Sequence, residues 1–466
     1  MRPKVTVYIT CHNYGRFVGQ AIDSVFGQMF DDWELFIIND GSTDDSAAVI
    51  DERAASHPDR VRVFHHATPL GVPACANLAI EMASAEYLVR LDADDYFDES
   101  ALLTMTTFLD RNPDVALVFP NYVYVDEDGA LLGLEYRKRV DAESEVLDLP
   151  AHGACTMARK RILKAVGGYS LEFPAQDGHQ IWLKILHRYK VASVSTPLFF
   201  YRQHPASLSR NQDRLLDARR KIKRHQAAKD DGDVKLRVVG ILPARNTKTD
   251  IPNVCLTKVA GRALIDYAIE AALNSAALDQ VLVASDDPAV LDHCKKFSGV
   301  LTYQRPLDLS LSHTKLVEVT RAAVDHLENV LGIFPDILVT LNVHAPLVHG
   351  TDIDEAVDTL RLMNVDSVIG VYEDRDLHFT HGQQGMAPLN WGALNNLYLE
   401  REALYVDTGM MRVAWRDVLS GPSLLGRTFG HVIVPWERSF TVHNLFTLTL
   451  LDHLLTIERE GRISTQ

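Results

Sequence analysis

The sequence predicts an α/β protein with two domains in tandem, each a mainly parallel sheet flanked by helices. Apolar runs typical of buried strands alternate with amphipathic helical segments as far as about Tyr201. The same organisation starts again near Leu236. Acidic loops also follow two of the early strands, at the position where open α/β sheets bind ligands. Together these observations indicate two nucleotide-binding domains of the Rossmann-like type.

The first elements follow this pattern in order. Val5–Thr10 is the first strand candidate, and a helix with apolar residues at helical spacing follows it. The second strand candidate, Trp33–Asp40, ends in an acidic loop. Ser42 or Thr43 is expected to cap the next helix, which runs through Ile50. The alternation predicts βαβ units and therefore parallel strands.

A second acidic loop follows the strand candidate Tyr87–Leu91 and contains Asp92, Asp94 and Asp95. Carboxylates crowded into one crevice repel each other, and a divalent cation that bridges to a diphosphate relieves the repulsion. The two acidic loops therefore suggest transfer from a nucleotide-diphosphate donor, with Mg²⁺ or Mn²⁺ as cofactor. A DxD triplet taken alone is also common in surface loops, so its place after a buried strand carries this inference.

A basic and then polar stretch separates the two halves. Residues 211–229 are predicted to form a basic helix, for which a solvated face is favoured over contact with anionic lipid. Lys229–Asp233 is typical of a linker, and a new strand candidate begins at Leu236. The predicted organisation is a first domain over 1–210, a helix and linker over 211–235, and a second domain over 236–466.

Composition limits the class of protein. The chain has 466 residues, of which 47% are hydrophobic and 23% charged, as in an ordinary globular protein with two or three domains. The net charge of −15 argues against a broad nucleic-acid-binding surface. The five cysteines contain no CxxC pair, which fits a reducing cytosol. With no predicted signal peptide or membrane-spanning stretch, we expect a cytoplasmic protein, with peripheral membrane attachment left open.

The order of motifs in the first half resembles family 2 glycosyltransferases with the GT-A fold. The matching segments, within about residues 4–210, are Val5–Thr10, Asn13-Tyr14, Ala21–Val25 with Gln28, Asp40–Asp44 and Leu91–Asp95. The resemblance implies that Thr10, His12, Asn13, Asp40 and Asp92 bind the nucleotide, with Asp40 accepting a hydrogen bond from the base. It also implies that Asp92 and Asp94 form a metal-binding DxD, with Asp94 the more direct ligand.

The resemblance further assigns residues near the end of this domain. Asp177 is the candidate general base, although it could simply cap its own helix. A base acting in a single displacement would invert the anomeric carbon. Arg202 and His204 lie in a segment similar to one that closes over donor phosphates, so Arg202 is a candidate phosphate contact and His204 a candidate metal ligand. His204 could equally satisfy a loop carbonyl.

The second half is similar to cytidylyltransferases that activate acidic sugars with CTP. The similarity spans about residues 236–455 and includes Val238–Arg245, Leu256–Tyr267 and Leu341–Leu347. Arg245 and Lys248 are possible phosphate contacts by this resemblance. However, the loop at 246–250 has no glycine, and the segment near His443 has no carboxylate where the family places metal-binding aspartates. We therefore expect a degenerate relative that binds a sugar or nucleotide, positions the acceptor or mediates dimerisation.

The sequence thus favours a metal-dependent, inverting glycosyltransferase that uses a nucleotide-diphosphate sugar, by resemblance a UDP-sugar. Its acceptor would be a hydroxyl of a surface polysaccharide, a glycoconjugate or a lipid-linked glycan. Two alternatives remain: a bifunctional protein that also makes a CMP-activated acidic sugar, and a non-catalytic scaffold that binds nucleotide sugars. A homo-oligomer formed through the second domain is left open.

Overall fold

A computed structural model describes residues 2–135, 153–173, 177–185, 188–204, 212–230, 236–245, 251–311, 313–382, 385–389, 401 and 403–459. The chain divides into two compact units. The first comprises Met1–Ile222 and Arg375–Glu402, and the second comprises Lys223–Asp374 and Ala403–Gln466. Each unit is α/β, with a mostly parallel sheet flanked by helices, as the sequence predicts.

The main sheet of the first unit has nine strands within the described residues. They are β1 (Val5–Cys11), β2 (Trp33–Asp40), β3 (Val61–His66), β4 (Tyr87–Asp92), β5 (Tyr96–Phe97), β6 (Val115–Val125), β7 (Leu131–Glu135), β8 (Met157–Arg159) and β9 (Lys190–Arg202). Their order is β3-β2-β1-β4-β8-β6-β9-β5, and β7 pairs with β6. The first four are parallel, whereas β8 runs antiparallel to both β4 and β6.

Helices cover this sheet because their apolar residues repeat at helical spacing. They are α1 (Gly15–Phe26), α2 (Ser46–Ala54), α3 (Val72–Met82), α4 (Ala101–Arg111), α5 (Lys160–Ala165) and α6 (Asp177–Ile185). Val18, Ala21, Ile22 and Val25 form one buried face of α1 and join the strand residues in a single core. The predicted cap of α2 is wrong: the helix begins at Ser46, four residues after Ser42, and no side chain caps it.

Helix α7 (Gln212–Asp230) crosses the division between the two units. A hairpin of β17 (Phe379–Gly382) and β18 (Gly385–Pro388) belongs to the segment that is grouped with the first unit.

The sheet of the second unit has seven strands within the described residues. They are β10 (Val238–Ala244), β13 (Gln280–Ser285), β14 (Val300–Gln304), β15 (Ile337–Leu341), β16 (Ser367–Asp374), β19 (Leu404–Trp415) and β20 (Phe429–Ile433). The order is β14-β13-β10-β15-β19-β16-β20, with β19 antiparallel to both of its neighbours. This arrangement repeats that of the first unit: three strands in reverse order, a fourth parallel strand, then an antiparallel strand.

Shorter elements complete the second unit. The small ribbon consists of β11 (Lys258–Val259) and β12 (Arg262–Ala263). The helices are α8 (Leu264–Asn274), α9 (Pro288–Cys294), α10 (Leu316–Asn329), α11 (Gly350–Leu362) and α12 (Leu445–Arg459). Within the described residues, single-turn 3₁₀ helices lie at Val254–Leu256, Leu307–Ser310, Arg416–Ser420 and Trp436–Arg438.

Helix α11 carries a cluster of buried carboxylates, which we call the helix cluster: Asp352, Asp354, Glu355 and Asp358. Each has a basic partner in the second unit. Arg438 donates two hydrogen bonds to Asp352, of 2.7 and 3.0 Å. Lys223 Nζ donates to Glu355 Oε1, and Arg224 Nη1 to Asp354 Oδ2, both at 3.1 Å. Arg361 Nη1 lies 3.9 Å from Asp358 Oδ1.

Lys223 departs from the solvated face expected for the helix over 211–229, whereas Arg224 is half exposed. Lys223 lies in α7 but is only 3% exposed. Its ammonium is buried against α11, where it pairs with Glu355. A buried charge without such a partner would strongly destabilise the fold. The basic residues Lys223 and Arg224 thus neutralise acids of the second unit.

Candidate functional site

The predicted nucleotide-binding residues lie at the carboxyl edge of the first sheet. Thr10 at the end of β1 is in register with Asp92 at the end of β4. Asp40 ends β2 and is in register with His66 at the end of β3. Strand order reverses between β1 and β4, and ligands bind open α/β sheets at such a point. The fold therefore brings Thr10 and Asp92 together at the predicted edge.

The loops after β1 and β2 are joined by side chains of the predicted site. Asn13 adopts a left-handed backbone with φ of 60°, and its Oδ1 accepts a 2.7 Å hydrogen bond from the Thr43 amide. The Asn13 amide donates to Ser42 Oγ at 3.0 Å. His12 Nδ1 donates to the backbone carbonyl of Asp40 at 2.8 Å. His12 and Asn13 thus fix the loop around Asp40.

The Asp40 carboxylate is buried and surrounded by donors. The Leu70 amide and His66 Nδ1 donate to Oδ1, and the Gly71 amide donates to Oδ2, each at 2.8 Å. Burial first and then the nearby charge of Asp40 raise the pKa of the Cys75 thiol to about 12. Burial pushes the Asp40 pKa upward, but the donated hydrogen bonds outweigh it and hold that pKa below its usual value.

The three observed hydrogen bonds leave an acceptor position of the carboxylate open, on Oδ2, where the Gly71 amide is the donor among the described residues. Asp40 organises the corner between β2, β3 and α3, and the predicted hydrogen bond from a nucleotide base stays a prediction.

Asp40, His66 and Cys75 also offer three potential ligand atoms within 4.8 Å of one another. Metal ligation requires a deprotonated thiolate and a free imidazole nitrogen. In this structure His66 Nδ1 donates to Asp40, and burial raises the pKa of the Cys75 thiol, so the trio belongs to the hydrogen-bonded corner around Asp40.

The predicted DxD lies in a second group of carboxylates, which we call the edge cluster: Asp92, Asp94 and Asp95. Arg90, two residues earlier on β4, places Nε 3.0 Å from Asp92 Oδ1. His204 Nε2 lies 3.0 Å from Asp94 Oδ2. His204 is 5% exposed and contacts the edges of the Tyr14 and Phe17 rings. The structure therefore brings His204 to the DxD.

The carboxylates of the edge cluster lie close enough together to affect the pKa values of neighbouring groups. Burial, followed by the charges of Asp94 and Asp92, raises the pKa of Asp95 well above its usual value. Burial and the same three aspartates raise the pKa of the nearby Tyr14 hydroxyl. Asp95 Oδ1 accepts the Arg202 amide at 2.9 Å, while Oδ2 makes no hydrogen bond within the described part of the chain. The edge cluster thus carries negative charge that the described residues only partly balance.

The guanidinium of Arg202, the candidate phosphate contact, is bound by protein oxygens. Its guanidinium donates to Asp94 O at 2.8 Å, to Glu127 O at 2.9 Å and to Gln20 Oε1 at 2.6 Å. It also packs over the Phe17 ring and is 2% exposed. Because protein oxygens already occupy this guanidinium, the geometry favours a structural role over the predicted phosphate contact.

One predicted site residue is described only in part, and a second lies outside the described residues. Asp177 is the first residue of α6, but its side chain lies outside the described residues. Lys248 lies wholly outside them. Next to Asp177, Gly178 lines a small cavity of about 30 Å³ that is partly open to solvent. Arg90, Tyr169 and Trp182 also line it, so the partner of Asp92 borders this space.

The carboxyl edge of the second sheet carries basic groups. Arg245 follows β10 and donates to the Leu311 carbonyl at 2.9 Å. Arg305 follows β14, is 4% exposed and donates to Asp286 at 3.0 Å. Burial first and then the charges of His443 and Arg245 lower the pKa of His344, although a hydrogen bond from its ring to the backbone of Val442 opposes them. This edge thus carries Arg245 and Arg305 together with the Asp286 carboxylate that pairs with Arg305.

Two family models match the chain. Residues 6–167 match the model of glycosyl transferase family 2, and residues 239–396 match that of the cytidylyltransferases. The chain therefore carries a family 2 glycosyltransferase domain followed by a cytidylyltransferase-family domain, which confirms both resemblances drawn from the motifs.

Curated relatives match the first domain. A chondroitin synthase and a hyaluronan synthase of Pasteurella multocida are each 33% identical over 135 residues. The match covers 29% of this chain and 14% of either relative, so the chain spans a small part of their length. Among solved structures, S. aureus TarS 1-349 in complex with UDP-GlcNAc is similar with a TM-score of 0.41. It is 16% identical, and the match covers 50% of this chain and 68% of that one.

Sequence reasoning missed two residues of this edge: Arg90 and His66. Arg90 had a visible signal, since it is a charged residue inside the apolar run of β4. His66 had none, because its role depends on pairing with Asp40 across two strands.

The five cysteines are free and buried. Among the described residues, no helix combines the length and apolar character needed to cross a bilayer.

Proposed function

We propose that the first unit is a metal-dependent, inverting glycosyltransferase that uses a nucleotide-diphosphate sugar. The observation that carries the proposal is the edge cluster at the point where the strand order reverses, beside Thr10. The match to the family 2 model over residues 6–167 supports it.

The donor set fits a hard divalent cation. Carboxylate oxygens suit Mg²⁺ or Mn²⁺, which proteins often hold through one or two carboxylates while the substrate phosphates complete the coordination. Asp94 is the proposed direct ligand, with Asp92 beside it. His204 contacts Asp94 Oδ2 and is proposed to complete or orient this ligand set. The bound cation would neutralise the charge that develops on the departing diphosphate.

The remaining roles belong to the chain's own groups. Thr10, His12 and Asn13 would line the nucleotide, and Asp177 would take the proton of the acceptor hydroxyl as its oxygen attacks the anomeric carbon. The leaving group departs from the opposite face in a single displacement, which inverts that carbon. We propose a UDP-sugar as donor, and a surface polysaccharide, glycoconjugate or lipid-linked glycan as acceptor. Relatives named as polysaccharide synthases support this acceptor class.

The proposed setting is the cytoplasm, where nucleotide sugars are available, with the inner face of the membrane as a place for a lipid-linked acceptor. Assembly of two copies through the second unit belongs to the same proposal.

The test combines donor binding with transfer. Wild type, Asp94→Ala and Asp177→Asn are compared, with the exposed Asp59→Ala as a matched control. UDP-, GDP-, dTDP- and CMP-sugars are tested by thermal shift with and without Mn²⁺, and nucleoside diphosphate release is followed with glycan acceptors. We expect Mn²⁺-dependent stabilisation by one donor class that Asp94→Ala abolishes. Asp177→Asn should keep donor binding and lose transfer. Transfer that survives both substitutions would overturn the assignment.

The second unit has its own candidate function. The basic carboxyl edge with Arg245 and Arg305, together with the cytidylyltransferase match, favours binding of a nucleotide or an acidic sugar. Lys248 would contribute to the same anion site. Pyrophosphate release from CTP across a panel of acidic sugars tests whether the unit also activates a sugar. Binding of CTP or sugar without pyrophosphate release would favour a positioning or scaffold role.

A further inference from the structure

Arg90 is a buried arginine that contacts one carboxylate of the edge cluster, and the role inferred for it rests on the proposed cation site. It lies in β4 two residues before Asp92, so both side chains leave the same face of the strand. The Arg90 side chain is 7% exposed and that of Asp92 is 27% exposed. Arg90 Nε lies 3.0 Å from Asp92 Oδ1, and Nη2 donates to Asp92 Oδ2 at 3.4 Å. The guanidinium therefore meets both oxygens of this carboxylate.

The segment that precedes β8 packs against Arg90 from another side. The Cys155 amide donates a 2.8 Å hydrogen bond to the Arg90 carbonyl. A Cβ added to Gly153 would lie 2.3 Å from Arg90 Nη2, so a side chain at that position would have to displace the guanidinium. Tyr169 and Trp182 line the same small cavity as Arg90. Packing as well as charge therefore holds the guanidinium beside Asp92.

The two carboxylates of the DxD have different partners. Arg90 carries a permanent positive charge, which balances the charge of Asp92. The Asp94 carboxylate instead meets the His204 imidazole, with Nε2 3.0 Å from Oδ2. The neighbouring guanidinium of Arg202 donates to the backbone oxygen of Asp94. The arrangement thus balances Asp92 with an arginine and leaves the charge of Asp94 available to a cation.

We infer that Arg90 is a positioning residue that gives the two carboxylates of the DxD different tasks. It holds both oxygens of Asp92, so Asp94 is the carboxylate that ligates the cation. It also lowers the affinity of the edge cluster for a free divalent cation. A unit positive charge several ångströms from a divalent cation, in the effective dielectric near a protein surface, weakens binding by ~10-fold. The donor diphosphate then supplies the negative charge that Asp92 does not.

The test measures the Mn²⁺ affinity of the full chain without donor, from the electron paramagnetic resonance signal of unbound Mn²⁺. Arg90→Met removes the charge and should bind Mn²⁺ ~10-fold more tightly than wild type. Arg90→Lys keeps the charge and should stay within about threefold of wild type. Arg16→Met is the matched control, because Arg16 is 58% exposed and pairs with Glu127. Solvent screening should keep the effect of that control below about twofold.

A double variant decides the question if Arg90→Met does not fold. Arg90→Met combined with Asp92→Asn leaves no buried charge unpaired, so it should fold. It should bind Mn²⁺ within about threefold of wild type, because Asp94 is still present. Loss of binding in the double variant to the level of Asp94→Ala would show that Asp92 is itself a ligand, which overturns this inference alone.

The single variants can overturn it as well. A folded Arg90→Met that binds Mn²⁺ no more tightly than wild type would show that Arg90 is only structural. Tighter binding shared by Arg90→Lys or Arg16→Met would show that the charge beside Asp92 is not the cause. If neither wild type nor Arg90→Met binds Mn²⁺, with or without UDP, the proposed cation site fails and the inference fails with it.

Discussion

The edge cluster of the first unit and the helix cluster of the second are both groups of acidic side chains that include buried members, but they differ in what neutralises them. Every carboxylate of the helix cluster has an arginine or lysine partner, such as Lys223 for Glu355. The edge cluster has Arg90 beside Asp92 and His204 beside Asp94, while Asp95 is forced toward its protonated form. Acidic side chains therefore indicate a cation site where the protein itself leaves negative charge unbalanced.

The largest effect should come from removing a charge from the edge cluster. Asp94→Asn is expected to lower the transfer rate by ~10³-fold or more, because the cation that stabilises the departing diphosphate loses its direct ligand. Asp358→Asn, the same substitution in the helix cluster, should leave the transfer rate unchanged. Nucleoside diphosphate release at saturating Mn²⁺ measures both. Equal losses in the two variants would remove the distinction between the clusters.

Breaking a pair in the helix cluster should affect stability and not chemistry. Lys223→Met leaves Glu355, which is 4% exposed, without its ammonium partner. We expect the second unit to lose about 3–5 kcal/mol of unfolding free energy. Hydrogen exchange of peptides from α11, compared with peptides from β1, reports the loss in the second unit alone.

A double variant separates the cause of that loss. Lys223→Met combined with Glu355→Leu should recover most of the stability, because no buried charge is then left unpaired. A single variant as stable as wild type would show that the pair contributes nothing.

Arg202 distinguishes a structural cation from a substrate-binding one beside the edge cluster. Arg202→Lys cannot reproduce the fork that reaches Asp94 O, Glu127 O and Gln20. We expect the first unit to lose about 2 kcal/mol, from hydrogen bonds left unmade in a buried site. The KM for donor should change little at temperatures where the variant is folded. A large rise in KM with unchanged thermal stability would restore the phosphate contact predicted from the motif.

The effect that is smallest per pH unit concerns the helix cluster. Burial, together with the charges of Asp354 and Glu355 and against those of Arg224 and Lys223, raises the Asp358 pKa from 3.8 to about 7. Between these values the folded state binds more protons than the unfolded state, so stability falls as pH rises toward 7 and the effect levels off above it. The slope from this group is at most about 1.4 kcal/mol per pH unit. Asp358→Asn should reduce the pH dependence of the unfolding midpoint between pH 5 and 7. An unchanged pH dependence would contradict the raised pKa of Asp358.

Local patterns in the sequence predicted the framework of the site. Apolar runs that end in Asp40 and Asp92 located the ends of β2 and β4, and the alternation with helices predicted parallel pairing. The insertion of β8 between β4 and β6 was not predictable, because three residues from a distant segment make that pairing. The α2 cap was also missed, since Ser42 and Thr43 bond to the Asn13 loop.

Predictions of individual roles failed where a side chain has partners far away in the sequence. Arg202 lies in a segment that resembles a phosphate-closing element, yet its partners include Glu127 and Gln20. A motif specifies which functional group is present, whereas distant backbone atoms decide whether that group is still available to a ligand.

The position of Lys223 and Arg224 has a consequence for cutting and recombining this chain. Both precede residues 231–235, where a fragment carrying the second domain would naturally be started. In such a fragment, Asp354 and Glu355 of α11 would lack the basic side chains that pair with them. A fragment in which the second domain is stable by itself must therefore begin upstream of Lys223. A fusion protein that contains this domain should include the end of α7.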